Sequence, residues 1–343
     1  MIFRILQKAM KMNVKATIFI GLLIFVLLSA KAIQVIEPQT FTTYFSALWW
    51  VMTSVTTVGY GDISPVTAGG QLFAMVIVYI VGIGIMGVAV GYVVDVYVEF
   101  KNKKESGKLA FKGKDHFVII NYTRRSKETI QELLNMHEDK QIVLIDEDIE
   151  KVPFVHEHVH FVHGEPADIH TLEKANIADS TSVMIFSSDG VPNASFADGQ
   201  TLLVATSVED YSQKINKSIY TIVEVTSEKH IASFVHGGVD EFITPNQTSA
   251  RLIAKSGTYK GISEVFRQLT SSNYGEDIFT IAPQPSWKTY GDACQSLHNM
   301  GATLLSVDNN LDIAGKSSEK LPPQSKLLIV CKSEIYEQIK KSS

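Results

Sequence analysis

The sequence holds only two cysteines, Cys294 and Cys331, in 343 residues. Their separation matches no metal-ligand spacing, so neither a disulfide framework nor a zinc site is implied, and the bulk of the chain reads as cytosolic. A stripe of clustered Lys and Arg is also missing. There are 36 acids against 31 bases, a net charge of −5. Before Ala110 nine bases face five acids, a balance of +4; from there on 22 bases face 31 acids, a balance of −9. A chain whose larger part is this acidic is a poor candidate for a nucleic-acid partner, where Lys and Arg must neutralise phosphates. With 45% hydrophobic and 20% charged residues it is neither disordered nor collagen-like, and its length leaves room for two or three domains.

Charge is absent altogether from two stretches. Residues 16–30 carry none, and with Lys31 snorkelling the apolar run continues through Ile36, about 21 residues or ~31 Å of helix. This predicts a first span over 14–36 rather than a cleaved leader, because no small-residue cleavage site is evident and a second apolar segment follows. No charged residue lies between Ile63 and Val94, and 71–98 reads as a second span. Arg4, Lys8, Lys11 and Lys15 precede the first span, Lys101, Lys103, Lys104 and Lys108 follow the second, and 37–70 has no Lys or Arg. Positive residues mark the inner side, so both termini are expected in the cytoplasm of a multi-pass membrane protein. Between the spans, an uncharged aromatic stretch at 40–56 is apolar enough for the bilayer and too short to cross it. A re-entrant helix is expected there.

That helix runs straight into Thr56-Thr57-Val58-Gly59-Tyr60-Gly61-Asp62. Non-helical backbone at membrane depth survives only where it is buried in protein or lines a wet path. Gly59 and Gly61 permit backbone angles closed to other residues. Successive carbonyls of 57–61, with the Thr57 hydroxyl, then point to one axis and replace the water shell of a monovalent cation. The loop also resembles the Thr-Val-Gly-Tyr-Gly loop of known potassium filters. One loop cannot encircle an ion and four can, so a homotetramer is implied; the competing reading is a tight turn between two helices. Trp49, Trp50 and Asp62 are candidate supports for the loop, an interfacial aromatic belt being the other reading of the tryptophans. The short helix would also aim its negative C-terminal end at a cation. In the second span Gly82, Gly84, Gly87 and Gly91 are either hinge positions or helix-packing positions. Asp95 and Glu99, one turn apart, either concentrate cations at an inner mouth or form the first solvated turn.

A basic, polar linker over 101–114, placed near anionic lipid, introduces a new rhythm. Short apolar runs at 117–120, 142–145, 159–162, 183–186, 219–223 and 241–244 alternate with helical patterns around 127–136, 170–176, 195–209 and 228–236. Such alternation predicts a parallel, Rossmann-type sheet over 115–248. Connecting helices over 249–273 should follow. A small α+β unit over 274–343 closes the chain, with strands near 277–282, 303–307 and 326–331 and a helix at 334–341.

In order along the chain stand the filter, the first strand Lys114-Asp115-His116-Phe117-Val118-Ile119-Ile120, the turn His163-Gly164-Glu165-Pro166, the helix Leu172-Glu173-Lys174-Ala175-Asn176-Ile177, and Pro245. On these marks the chain resembles, over nearly its whole length, the two-span prokaryotic potassium channels with a cytoplasmic RCK (regulator of potassium conductance) domain. The resemblance implies potassium ions in the filter and four assembled pores in the cell membrane. It also implies RCK–RCK dimer contacts and a gating ring whose ligand-driven expansion pulls the inner helices apart. Many RCK domains carry G-x-G-x-x-G after the first strand to approach a dinucleotide. Here Asn121 to Ser126 contains no glycine, although Asp146 ends the second strand where a ribose-binding acid is expected. Arg124 and Arg125 remain candidates for an anion at a helix start, with a solvated or inter-subunit pair as the alternative. The calcium site of relatives uses three acids whose aligned positions hold Phe186, Glu224 and Thr226; Glu224 alone is too little for calcium. Asp146, Glu147, Asp148 and Glu150, and the alternating His156, His158 and His160, are further metal candidates, with a solvated loop and an exposed strand face as the alternative. The expectation is a potassium-selective channel, not an enzyme, gated by a divalent cation or a nucleotide. The alternatives are a poorly selective monovalent cation channel and a membrane-anchored NAD-dependent oxidoreductase, for which no catalytic constellation is present.

Overall fold

The computed structural model describes residues 14–137, 139–191, 193–271 and 274–341. Arg4, Lys8 and Lys11, on which the expected orientation leans, lie outside them. The chain divides into two compact units between Lys103 and Lys104.

In the first unit helix α1 spans Val14–Ile36. Pro38 disfavours helical angles at Glu37 and stops it. Helix α2 spans Tyr44–Val55, four residues later than the sequence pattern placed its start. Local chemistry decides the point: the Thr43 hydroxyl accepts from the Ser46 N–H at 3.1 Å and the Ser46 hydroxyl accepts from the Thr43 N–H at 3.4 Å. The inner face of α2, with Ala47, Trp50, Val51 and Val55, packs on Val26, Ala30 and Ile33 of α1 and on Phe41, Ala74 and Val78. A second long helical run follows, made of α3 (Ala68–Phe73), a π-helical segment (Ala74–Gly82) and α4 (Ile83–Glu105). It is longer at both ends than 71–98. Its last turns take in part of the expected linker, because Lys and Glu favour helix and Lys103 pairs with Glu99 at 2.6 Å.

The second unit holds the parallel sheet. Its strands are β1 (His116–Ile120), β2 (Ile142–Asp146), β3 (Val159–His163), β4 (Ser180–Ile185), β5 (Thr221–Glu224) and β6 (Glu241–Ile243). Their order is β3-β2-β1-β4-β5-β6, every pair parallel. The helices between them are α5 (Arg124–Met136), α6 (Ile169–Lys174), α7 (Ala194–Ile215) and α8 (Ile231–His236). Every residue of β1 and β2 is buried, the mark of a sheet covered on both faces. Side chains alternate across it: Val118, Ile120, Val143 and Ile145 join Leu172, Val204 and Val208 in one core, while Phe117, Ile119, Ile142 and Leu144 join Ile130 and Phe161 in another.

Helices α9 (Pro245–Thr258) and α10 (Ile262–Leu269) follow, separated at Gly261, which takes φ +90°. A small antiparallel sheet comes last, in the order β7-β9-β8, from Glu276–Ile281, Leu327–Lys332 and Thr303–Val307. It carries α11 (Tyr290–Asn299) and α12 (Ser333–Lys341) over a core of Trp287, Leu297, Leu327, Ile329 and Ile339. The periodicity reading missed α11.

Candidate functional site

The loop after α2 is hung from the end of that helix. The Thr53 carbonyl accepts from the N–H groups of both Val58 and Gly59, at 2.9 and 3.0 Å, and Thr57 N–H donates to Ser54 O at 3.0 Å. Thr57, Gly59 and Gly61 take left-handed angles, φ +61°, +54° and +73°, and the intervening Val58 and Tyr60 do not. Alternating hand along a short strand turns successive carbonyls to the same side. A β-branched residue at positive φ is a strained exception, of the kind that marks functional backbone. Within one chain a Cβ at Gly59 or Gly61 meets nothing within 4 Å, so glycine is required here by its angle rather than by space.

The two tryptophans separate. Trp49 lies on the loop: its Nε1–H donates to Asp62 Oδ2 at 3.0 Å, and its ring stacks on Tyr60 with centroids 5.7 Å apart and 3° between planes. Trp50 is buried in the core against Phe41, at 5.3 Å. Adjacent helix residues point about 100° apart, so one tryptophan reaches the loop and the other the core.

Glu37 was missed by sequence reasoning. Its carboxylate, only 3% exposed, accepts from Val66 N–H at 2.8 Å, Thr67 N–H at 3.3 Å, Thr67 Oγ at 3.2 Å and Thr40 Oγ at 2.8 Å. It ties the end of α1 to the start of α3. A Cβ on Gly70 would stand 2.2 Å from Glu37 Oε2 and 3.0 Å from Pro65 Cβ. The available signal was that Glu37 is the single charged residue between Lys31 and Asp62. Of the candidate hinge glycines, Gly82 ends the π-helical segment, and a Cβ there would lie 2.8 Å from Val55 and 3.1 Å from Phe25. Gly84, Gly87 and Gly91 meet nothing within 4 Å. Asp95 and Glu99 are exposed on α4, Glu99 in its pair with Lys103.

In the second unit the strand order reverses between β1 and β4, where a Rossmann fold takes its dinucleotide. Asn121, at φ +71°, stands where a glycine would, its N–H bonded to Ile145 O at 3.0 Å and its Nδ2 to Phe186 O at 2.7 Å. Asp146 is committed to backbone: Oδ2 accepts from Tyr122 N–H at 2.7 Å, and Oδ1 from Asp148 and Ile149 N–H at 2.8 and 3.1 Å. At the first turn of α5, the position for a phosphate, the carboxylate of Asp189 accepts from Arg124 N–H at 3.0 Å and pairs with the Arg125 guanidinium at 3.0 Å. Arg125 Nε lies 2.9 and 3.0 Å from the two oxygens of Glu224, and another of its N–H groups donates to Ser187 O at 3.0 Å. Burial pushes the Glu224 carboxyl up, while Arg125 and the Ser187 N–H pull it down.

Asp189 thus joins Arg124 to Arg125, Arg125 in turn holds Glu224, and Asp146 closes the neighbouring loop. The residues fit neither a dinucleotide in the usual pose, whose phosphate place is held by Asp189, nor calcium, for which the one surviving acid is spoken for. A cavity of about 310 Å³ adjoins the Arg125–Glu224 pair, lined by Thr129, Met184, Phe186, Ile222, Ile243 and Pro245. Among the described residues no group of three His, Cys, Asp or Glu side chains is placed to hold a metal. His156 and His158 lie with ring centroids 5.7 Å apart, but His158 meets Gln141 at 2.8 Å and His160 meets Leu109 O at 2.9 Å, so the three histidines share no common centre.

Two family models match the chain: "Ion channel" over residues 14–99 and "TrkA-N domain" over 117–245. It is 31% identical over 230 residues to the "Putative potassium channel protein YugO" of Bacillus subtilis, covering 67% of this chain and 68% of that one. It is 30% identical over 241 residues to the "Calcium-gated potassium channel TvoK" of Thermoplasma volcanium, covering 69% and 67%. Among solved structures, the human SLO3 gating ring aligns with a TM-score of 0.50 at 11% identity over 65% of this chain and 46% of that one. The NAD-bound GsuK channel aligns at 0.47 and 17% over 96% and 58%.

Proposed function

Because the chain belongs to the prokaryotic potassium channels that join a two-span pore to a cytoplasmic TrkA-N, or RCK, domain, we propose that Thr57 to Gly61 are its selectivity filter and that four chains surround one path. The observation that carries this reading is the alternation of hand at Thr57, Gly59 and Gly61. Four such loops present rings of carbonyl oxygens to a potassium ion, which sheds its water as it enters and regains it on leaving. Ions move down their gradient, so no catalytic step is needed and the chain is not an enzyme. Trp49 and Asp62 brace each loop, Trp50 anchors the pore helix, and the α2 dipole favours a cation beneath the filter. Both termini face the cytoplasm of the prokaryotic cell.

Gating acts on α4. A π-helical segment passing into α-helix at Gly82 is a natural place to bend, and the open surroundings of Gly84, Gly87 and Gly91 extend the hinge. Asp95 and Glu99 from four chains ring the inner mouth. The pore domain runs over 1–100, the linker over 101–114, the RCK Rossmann domain over 115–248, its connecting helices over 249–273 and the C-terminal unit over 274–343. RCK domains pair and assemble into a gating ring. Moving such a pore from 1:99 to 99:1 open needs about 10⁴ in differential affinity, or roughly tenfold at each of four ligand sites. That ligand meets another surface than Glu224 or the Asn121–Ser126 loop: the cleft between RCK domains, or the unit beyond Tyr274.

Native mass measurement of the full chain in lipid nanodiscs, with rubidium uptake into proteoliposomes, tests the reading. The expected result is four copies of the 37.9 kDa chain and uptake blocked by external potassium but not by sodium. A dimer, or sodium uptake equal to that of rubidium, overturns it.

A further inference from the structure

The stretch from Glu105 to Gly113 that leads from α4 to β1 is laid along the second unit. Glu105 O accepts from Val152 N–H at 2.8 Å, and Gly107 O from His163 N–H at 3.1 Å. The approach is so close that a Cβ on Gly107 would stand 2.2 Å from His163 N. Further along, His160 Nε2 lies 2.9 Å from Leu109 O, Phe111 N–H donates to Lys174 O at 2.7 Å, and Asn176 Nδ2 donates to Gly113 O at 2.7 Å. The Phe111 ring contacts two imidazoles, His116 with centroids 4.5 Å apart and His160 at 5.4 Å.

His116 is fully buried, its Nε2 lies 3.0 Å from Ala175 O, and its Nδ1 has no hydrogen-bond partner among the described residues. A carbonyl only accepts, so each ring carries a hydrogen on Nε2, and in neutral His116 the partnerless Nδ1 is bare. A second proton on His116 would be buried with nothing to receive it. Asp115 and Asp179 favour charge on His116, but Lys217 at 2.7 Å and Lys114 at 3.5 Å already bridge Asp179, and His160 opposes it. Lys104 opposes charge on His160. Burial outweighs the carbonyl bonds and holds both imidazoles below their ordinary value.

We propose that this stretch is a proton-released latch: with His116 and His160 neutral it clasps Phe111 and holds residues 105–113 on the RCK domain, and acidification charges the pair and frees the strap. Freeing it slackens the covalent link through which the RCK domain acts on α4, a consequence that rests on the gating reading above. The sign follows from linkage. A histidine held neutral when docked favours the docked state above its free value near 6.5, and that preference is lost as pH falls through it. Between pH 7.5 and 5.5 one such group shifts the docking equilibrium by up to about tenfold, and two by up to about a hundredfold.

The test is hydrogen–deuterium exchange of the full-length channel in nanodiscs at pH 7.5 and 5.5, corrected for the intrinsic pH dependence of exchange, with potassium flux measured at the same values. Peptides covering 105–113 should exchange tenfold or more faster at pH 5.5, with β1 and β2 unchanged. His160→Gln keeps an N–H for Leu109 O without titrating, and should cut the rise to the share of His116. A rise under about twofold, or the same rise in His160→Gln and wild type, overturns the latch. Release of the strap with ligand-dependent flux unchanged would leave the latch standing and overturn its role in gating.

Discussion

Replacing Gly70 with Ala should disturb the junction between α1 and α3, although the residue lies outside the Thr57–Gly61 loop. The new Cβ would lie 2.2 Å from Glu37 Oε2 and 3.0 Å from Pro65 Cβ. The proline is fixed by its ring, so the carboxylate is the group that must move. It then loses the Val66 and Thr67 N–H groups at 2.8 and 3.3 Å. Hydrogen bonds to a charged acceptor are worth ~1.5–3 kcal/mol each, and part is recovered as the carboxylate reaches water, which leaves a cost of about 2–4 kcal/mol per chain. Thermal dissociation of the purified assembly reads this directly. Glu37→Ala should show a cost of the same order, and the double variant should cost less than the two added, with a coupling of about 1–3 kcal/mol because both changes remove one interaction. Gly70→Ala within ~0.5 kcal/mol of wild type, or strictly additive costs, would refute the reasoning.

Gly59→Ala should abolish selective flux, since alanine resists the φ of +54° that the loop needs; a variant that still discriminates sodium would mean the filter is misplaced. Calcium at low millimolar concentration should give no opening that Glu224→Gln removes, because Arg125 already occupies that carboxylate. Arg125→Met leaves the buried Glu224 without its partner and, with Arg125 itself partly exposed, should cost about 1–3 kcal/mol in unfolding of the RCK domain. Adding Glu224→Gln should recover part of that loss, and a double variant no more stable than Arg125→Met would count against the pair. Ending the chain after Lys108 should leave an assembled pore whose flux ignores cytoplasmic ligands, and retained regulation would move the sensor into the membrane part.

What was legible in the sequence was what short-range pattern encodes. The spans follow from charge-free runs and the parallel sheet from apolar segments such as 117–120 and 142–145, while Gly59 and Gly61 announce the positive φ angles of the loop after α2. What was missed depends on partners far along the chain. Glu37 meets Val66 and Thr67 across 29 and 30 positions, and Asp189 reaches Arg124 across 65. No local periodicity announces either contact. The π-helical segment left no mark in an apolar run that reads the same at 3.6 or 4.4 residues per turn. Two misses were readable: Thr43 with Ser46 fixes the start of α2, and Thr289 with Asp292 caps α11, where the Thr289 hydroxyl accepts from Asp292 N–H at 3.1 Å. The split between Trp49 and Trp50 also follows from helix geometry alone.

The central claim, that the loop from Thr57 to Gly61 passes potassium and turns sodium away, is tested most directly by the reversal potential of the reconstituted channel with potassium on one side and sodium at equal concentration on the other. The expected potential is displaced far toward potassium, with a permeability ratio of at least about tenfold, as ~1.4 kcal/mol of difference at the loop would set. A reversal potential near zero, with the channel conducting, would contradict it.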